Sequence, residues 1–556
     1  MPTKVTTSTK FIRVFIVLAI LILGYYIIFS YQTKITKPYV QKHPIENLNR
    51  VKLGPNNYEF SNNFLQKNKY GLWELYLEGS PYEIGLANGK LTKELIQIQE
   101  EAFVEQINTL IPSPFYLRFL KHMISWFNRD IHNYVSIEYQ QEIYGISKSI
   151  SNEFNYIALP YERMLNYHAA HDIGHALQNL ALVGCTSFAS NLNSLSDNLI
   201  IGRNFDFYIN EKFAENKVVA FVKPENGHEF MYVTWASMIG VVSGMNNQGL
   251  TVSLNAAKSD IPFKSATPIS ILAREILQYA GTLDEAIKIA NDRQVFVSEQ
   301  ILIGSANDNT AIVIEKSPTK MGIFRPNEDF IVSSNHFQSK TFAQDENNID
   351  YMLESASVYR EERCTELMQS YDSIDYRNAI SILRDKNGMA NADIGIGNEK
   401  ALCQMISHHG VVFLPEQRKV WVSTPPYQLG NFICYDLNEV FSTKNIKYDS
   451  LYSVEKDTFI TDGGWSNYLD YKSLYSELEE SLDQDELIIN LDDKAVKLAS
   501  LNPNYYKTYL LIAECYLKNE NKDSAINNFR KALNCEFENT IIQNECRDQL
   551  QELLDN

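Results

Sequence analysis

Four patterns of apolar and polar positions divide the chain. Residues 14–31 read VFIVLAILILGYYIIFSY, 18 residues without a charge, preceded by Lys4, Lys10 and Arg13. At 1.5 Å per residue that run reaches the lower limit for crossing ~30 Å of hydrocarbon. It ends in Gly24-Tyr25-Tyr26 and bulky residues, with no small-residue cleavage pattern. It therefore predicts an uncleaved signal anchor over a cleaved signal peptide. Lys34, Lys37 and Lys42 follow the run as closely as the basic residues precede it, so charge does not orient the span. The bulk of chain beyond it points to an extracytoplasmic body.

The second pattern is strand-like. After Ile201-Gly202-Arg203-Asn204-Phe205-Asp206-Phe207, apolar runs flank two turn signals, Glu225-Asn226-Gly227 and Asn246-Asn247-Gln248-Gly249, which predict two hairpins. The second hairpin emerges as Leu250-Thr251-Val252-Ser253-Leu254-Asn255, with an amide at its strand end. The third pattern is helical, a segment over 269–290, and is followed by strands, another amide in Val332-Ser333-Ser334-Asn335-His336-Phe337, and the late strand Val420-Trp421-Val422. The fourth pattern lies in residues 506–533. Tyr509, Ile512, Ala513, Tyr516, Ala525, Phe529 and Ala532 occupy the large and small positions of one helix–turn–helix repeat, turning at Asn519 to Asp523. Leu498, Leu501 and Pro503 fit the end of a degenerate repeat before it.

Composition sharpens this division. Of 556 residues, 45% are hydrophobic and 21% charged, which excludes wholesale disorder and a polytopic membrane protein. The formal charge is −18, and 17 acidic against 9 basic residues in 471–556 place −8 of it in the tail. An acidic chain without a basic stripe is not built to grip nucleic acid. The seven cysteines are too few and too scattered for a disulfide framework, and no CxxC or Cys/His spacing suggests structural zinc. The expected domains are a basic tail (1–13), an anchor (14–31), a linker (32–60), a catalytic body (61–445), a second linker (446–470) and the repeat tail (471–556).

Candidate chemistry centres on Val183-Gly184-Cys185-Thr186-Ser187-Phe188-Ala189. Alone, a cysteine among small residues is a packing residue. The order of later motifs changes that reading. Gly79-Ser80-Pro81-Tyr82-Glu83-Ile84-Gly85 with Asn88-Gly89 comes first, then GCTSFA, GRNFDF, the GMNNQGL hairpin, SSNHF and Ser407-His408-His409-Gly410-Val411-Val412-Phe413. Together these resemble the N-terminal nucleophile (Ntn) hydrolases, and more narrowly the peptidase C45 group containing acyl-CoA:6-aminopenicillanic acid acyltransferase. The resemblance covers roughly residues 70–430. The tail resembles the tetratricopeptide family over about 60 residues.

The resemblance implies a four-layer αββα sandwich and self-cleavage before Cys185, with no cofactor. The chemistry is coherent on its own terms. An α-amino group has a pKa of about 7.7–8.0, so a terminal Cys185 would carry nucleophile and base in one residue. Gly184, without a Cβ, suits the strained and attacked carbonyl. By resemblance, Asp206 holds the new amine and Arg203 sits near the nucleophile. Asn255 and Asn335 position substrate and donate to the oxyanion, a contribution of ~2.7–4 kcal/mol per donor. An arginine from 357–363 completes the site, Arg360 in preference to Arg363.

One cluster stands outside this scheme. His168, His171 and His175 share a helical face at i, i+3 and i+7, a spacing that could hold a metal. Gly174 weakens that helix and no glutamate lies between the ligands, so a polar cluster tuning cleavage is preferred and no metal is expected. The expected activity is that of a membrane-anchored, self-processing amidohydrolase or acyltransferase acting on a small acyl-amide. The alternatives are a catalytically silent shell that binds protein partners through its tail, and a metal-assisted hydrolase built on the histidines.

Overall fold

The structure is a computed structural model. It describes residues 7–111, 113–177, 184–191, 198–207, 211–258, 264–325, 329–484 and 486–555, without the side chains of 7–14, 22, 110, 114, 170–177, 211 and 212.

Two sheets form the centre of the body. The larger runs in the order Val51–Gly54, Asn57–Phe60, Asn63–Lys67, Trp73–Gly79, Val218–Pro224, Phe230–Thr234, Ser243–Asn246, Leu250–Ala256, Glu299–Ser305, Thr310–Lys316 and Met321–Phe324. Its neighbours are antiparallel except where Trp73–Gly79 meets Val218–Pro224, a parallel junction that the intervening helices bridge. The smaller sheet runs Phe330–Ser333, Thr186–Ser190, Ile200–Asp206, Ser407–Leu414, Lys419–Ser423, Phe432–Asp436 and Tyr448–Val454. Both predicted hairpins form, with Gly227 and Gly249 at positive φ in their turns.

The alternation of side chains along each strand sorts residues between two cores. Ile201, Val411, Phe413, Val422 and Ile433 of the smaller sheet face Phe221, Met231, Met245, Leu302 and Val313 of the larger. On the outer face of the larger sheet, Leu75, Val222, Leu254 and Ile303 pack against Leu91, Ile143, Leu165 and Ile276 of a helical layer. On the outer face of the smaller sheet, Ile200, Val412 and Trp421 pack against Cys364, Met368 and Ile380. The layers therefore run helix, sheet, sheet, helix.

The early glycine segment is a helix start and a close contact. Ser80 and Glu83 cap the helix Pro81–Leu110 reciprocally. A Cβ at Gly85 would lie 2.0 Å from the carbonyl oxygen of Glu142, and one at Gly89 2.7 Å from that of Ile146. Only glycine lets this helix and Ile137–Ser147 touch backbone to backbone.

Three expectations need correction. Residues 32–60 are not merely a linker, because Val51–Gly54 and Asn57–Phe60 extend the larger sheet. Residues 446–470 likewise supply the edge strand Tyr448–Val454 and the helix Thr458–Thr461. The segment 269–290 is two helices, Ile269–Tyr279 and Leu283–Asp292, because Thr282 caps a new start with Glu285.

The N-terminal helix Thr7–Gln32 carries a stretch, Phe15–Gln32, long and apolar enough to cross a membrane, with none of it buried. The tail folds as helices Gly464–Leu482, Leu491–Leu501, Tyr506–Lys518, Lys522–Ala532 and Thr540–Asp555 around their own core of Leu478, Leu498, Ile512, Ala513, Phe529 and Ala532.

Candidate active site

Strand register gathers the candidate residues at one end of the smaller sheet. Ser187 pairs with Arg203 on one side and with Ser333 on the other. Cys185 therefore precedes its strand at the point where Ile200–Asp206 ends and Ser334-Asn335 begins. Asp206 pairs in turn with Ser407. The Gly184 N–H donates to the Asp206 carbonyl at 3.1 Å, continuing the ladder past Cys185.

Cys185 is 1% exposed. Its Sγ lies 3.7 Å from the Asp206 carbonyl oxygen and 3.8 Å from Arg203 Nη2. Burial pushes the thiol up to about 11, although the Arg203 guanidinium pulls the other way. Arg203 itself is buried between the sheets, donating to the carbonyls of Val242 (3.0 Å) and Leu254 and to Ser243 Oγ, and lying over the Phe205 ring. Burial lifts the Asp206 carboxyl to about 7, against the opposing effect of its hydrogen bond from Ser407 Oγ.

Of the two arginines on helix Ser357–Gln369, Arg360 reaches the Gly184–Cys185 peptide. Its Nη1 donates to the carbonyls of Gly184 and Cys185 (2.7 Å to the latter) and to Thr186 Oγ1 at 2.9 Å. Its Nη2 donates to Asn335 Oδ1 at 2.8 Å. Arg363 turns away, to Asp385 at 2.9 and 3.0 Å and Glu366 at 2.6 Å. The two lie about one turn apart on the same side of the helix, and their long side chains run to different partners.

The asparagines are committed differently from the expected oxyanion donors. Asn255 Nδ2 donates to Ser187 Oγ at 2.8 Å and to the Ser333 carbonyl at 3.0 Å, leaving its buried Oδ1 without a partner. Asn335 Nδ2 donates to the Ala256 carbonyl at 2.9 Å. Both brace neighbouring strand ends around Cys185. The second donor on Gly184 O is instead Gln404 Nε2, at 2.8 Å.

Gln404, Ser407 and the pair His408 and His409 are the participants that sequence reasoning did not single out by role. His409 Nε2 and Ser243 Oγ lie 2.8 Å apart, linking the histidine to a ligand of Arg203. Burial holds both imidazoles well below their usual range, with Lys217 and Arg203 adding to the effect. The only advance signal was the Ser407-His408-His409 motif itself.

Of the three clustered histidines, His168 is committed to partners within the protein. His168 Nδ1 contacts the Met164 carbonyl at 2.8 Å and its Nε2 accepts from the Ile239 N–H at 3.0 Å, so both ring nitrogens are occupied. Burial lowers it to about 4, and the neutral ring ties helix Pro160–Leu177 to the connection between strands Phe230–Thr234 and Ser243–Asn246. The side chains of His171 and His175 lie outside the described residues. Among the described residues no group of three potential ligands converges.

Comparison with known proteins shows what the chain is similar to. Residues 194–425 match the family model described as acyl-coenzyme A:6-aminopenicillanic acid acyl-transferase, beginning just past Cys185. An uncharacterized protein of Archaeoglobus fulgidus is 24% identical over 348 residues, covering 55% of this chain and 56% of its own length. The N-acylethanolamine-hydrolyzing acid amidase of Caenorhabditis elegans is 25% identical over 249 residues, covering 42% of this chain and 66% of its own. The chain thus spans between about half and two thirds of these relatives' length. Among solved structures, the conjugated bile acid hydrolase of Clostridium perfringens aligns at a TM-score of 0.34 with 15% identity, over 48% of this chain and 96% of that one.

Proposed function

We propose that the chain is a membrane-anchored, self-processing amidohydrolase or acyltransferase whose nucleophile is Cys185. The observation that carries this reading is the Gly184–Cys185 peptide itself, whose carbonyl oxygen accepts two side-chain hydrogen bonds, from Arg360 and Gln404. A carbonyl so polarised, with a thiol on the Cβ of the following residue, is set up for attack through a five-membered ring. Sγ adds to the Gly184 carbonyl carbon and the electron pair moves onto oxygen. Collapse expels the Cys185 nitrogen, which takes the thiol proton and becomes an α-amine. Water then hydrolyses the thioester, freeing the thiol and leaving Gly184 as a carboxylic acid.

The exposed amine would act as the base for turnover, since its ordinary pKa lies near neutrality. By the family resemblance Asp206 would hold that amine, and Arg203 favours the thiolate electrostatically. The substrate class is a small acyl-amide: the thiol takes the acyl group as a thioester, the amine departs, and water or a second amine accepts the acyl group. The name of one relative, an acid amidase that hydrolyses N-acylethanolamines, supports carbon–nitrogen bond cleavage. Asn255 and Asn335 keep the strand ends in register around the acyl site.

The apolar helix supports anchoring by residues 14–31, with the body extracytoplasmic. Phe29 of this helix stacks on Trp126 of helix Pro114–Phe127, whose Phe115 and Phe119 are exposed. The tail, with one tetratricopeptide-like pair in Tyr506–Lys518 and Lys522–Ala532, is the surface for a protein partner. Incubating the purified protein with a panel of N-acyl amines and reading the mass of the Cys185 peptide tests the reading. An acyl adduct on Cys185 supports it, and free amine release that persists in Cys185→Ala would refute it.

A further inference from the structure

The Gly184 oxygen has two donors, and only one of them belongs to the constellation that the family resemblance implies. We propose that Gln404 is a catalytic residue of self-cleavage, the second oxyanion donor on the Gly184 carbonyl, held in place by the C-terminal helical tail. The inference rests on the self-processing reading above and deepens it.

The geometry is that of an oxyanion hole. Gln404 Nε2 lies 2.8 Å from Gly184 O, within the ~2.7–3.1 Å that such donors occupy, and the Arg360 guanidinium closes on the same oxygen. Gln404 is 6% exposed, so water does not compete for its amide. Asp206 Oδ2, 3.5 Å from Nε2, faces the amide nitrogen and favours its present orientation. Gly184 is fitted to this neighbour. A Cβ there would lie 2.4 Å from both Nε2 and Oε1 of Gln404. Glycine at 184 therefore lets the amide approach the carbonyl, a reason beyond backbone freedom.

The segment carrying Gln404 is irregular and restrained from several directions. Met405, its successor, adopts the left-handed region at φ 59° although it is not glycine. Met405 and Cys403 are buried with Tyr427 and Leu429, against Phe459, Trp465 and Tyr468. The Cys403 N–H donates to the Asp385 carbonyl at 2.8 Å. Upstream, the same segment is tied to the tail. Asn502 exchanges two hydrogen bonds with the backbone of Ile396, at 3.0 and 2.9 Å. Asn398 Nδ2 donates to the Glu536 carbonyl at 2.9 Å, and Lys400 pairs with the Glu536 carboxylate at 2.5 Å. The tail thus buttresses the segment that delivers an amide to the scissile bond.

In the step proposed, Gln404 neither gains nor loses a proton. Its N–H bond to Gly184 O shortens as negative charge builds on that oxygen during Sγ addition, and relaxes when the Cys185 nitrogen leaves. Removing one such donor typically slows a reaction by roughly 10²–10³-fold.

The test follows appearance of the Cys185 terminus in the full-length chain over time. Gln404→Met, similar in volume but without a donor, is expected to slow it by roughly 10²–10³-fold. Gly184→Ala, which displaces the intact amide, is expected to slow it comparably. Thermal unfolding of Cys185→Ala with and without Gln404→Met reports on the fold, and the two midpoints should agree. Cleavage of either variant at the parental rate would overturn the proposal. So would a slowing matched by loss of the folded state. If the parent chain itself never forms a Cys185 terminus, the self-processing reading fails, and this inference falls with it.

Discussion

Between the two sheets, one region is filled by Phe221, Met231, Leu302, Phe413 and Ile433, while the region beside Cys185 holds Arg203, Ser243, Asn255 and His409, buried just as fully. The apolar region stabilises by removing surface from water, at roughly 25 cal/mol per Å². The polar region must offset desolvation with hydrogen bonds, and it does so incompletely. Among the described residues, Arg203 Nε, Asn255 Oδ1, Arg360 Nε and His408 Nε2 are buried without partners there. Unsatisfied groups of this kind weaken a fold rather than stabilise it. Equal burial thus serves opposite ends in the two regions.

Substitutions can break that contrast, beginning with the nucleophile. Cys185→Ala should abolish formation of a new terminus altogether while leaving the fold intact, as gel analysis and thermal unfolding would report. Arg360→Lys keeps a positive charge but loses the fork that spans Gly184, Cys185 and Asn335. Processing should fall by roughly 10²-fold, whereas Arg363→Lys, facing Asp385, should process at the parental rate. In the apolar region, Phe413→Ala in the Cys185→Ala chain should lower unfolding free energy by about 3–5 kcal/mol in denaturant titrations. An effect below 1 kcal/mol would mean that this region is not the stabilising one.

A smaller effect concerns pH. An unfolded aspartate releases its proton near pH 4, whereas folded Asp206 holds its proton to about 7. The folded state binds the extra proton in that interval, so this group's contribution to stability falls as pH rises from about 4 to about 7 and then levels. Asp206→Asn in the Cys185→Ala chain removes that fall. The stability of the variant relative to its parent should therefore grow across the interval and stay constant above it. A difference independent of pH would show that Asp206 is not held neutral by burial.

Much of this site is legible along the chain, because its parts lie on regular strands with readable ends. Cys185, Asp206, Asn255 and Asn335 each sit at a strand terminus that turn signals and alternation announce. Gln404 could not be read that way. It lies in an irregular segment with no periodicity, 220 residues from the carbonyl it touches, and only the tertiary fold brings the two together. The Asn255 contacts were hidden for a related reason, since its partners Ser187 and Ser333 belong to the other sheet. The strands within 51–60 and 446–470 escaped notice because they lie at or beside sheet edges, with exposed and polar positions that resemble linker composition. The tail repeat was visible from its spacing, whereas its attachment through Asn502 and Glu536 to the segment before Gln404 was not.

The central claim is that the chain cuts itself between Gly184 and Cys185. Intact-mass measurement with N-terminal sequencing of the purified protein tests it most directly. The account predicts two fragments, residues 1–184 and 185–556, the second beginning Cys185-Thr186-Ser187. A folded chain that remains whole after prolonged incubation, with no terminus at Cys185, would contradict it.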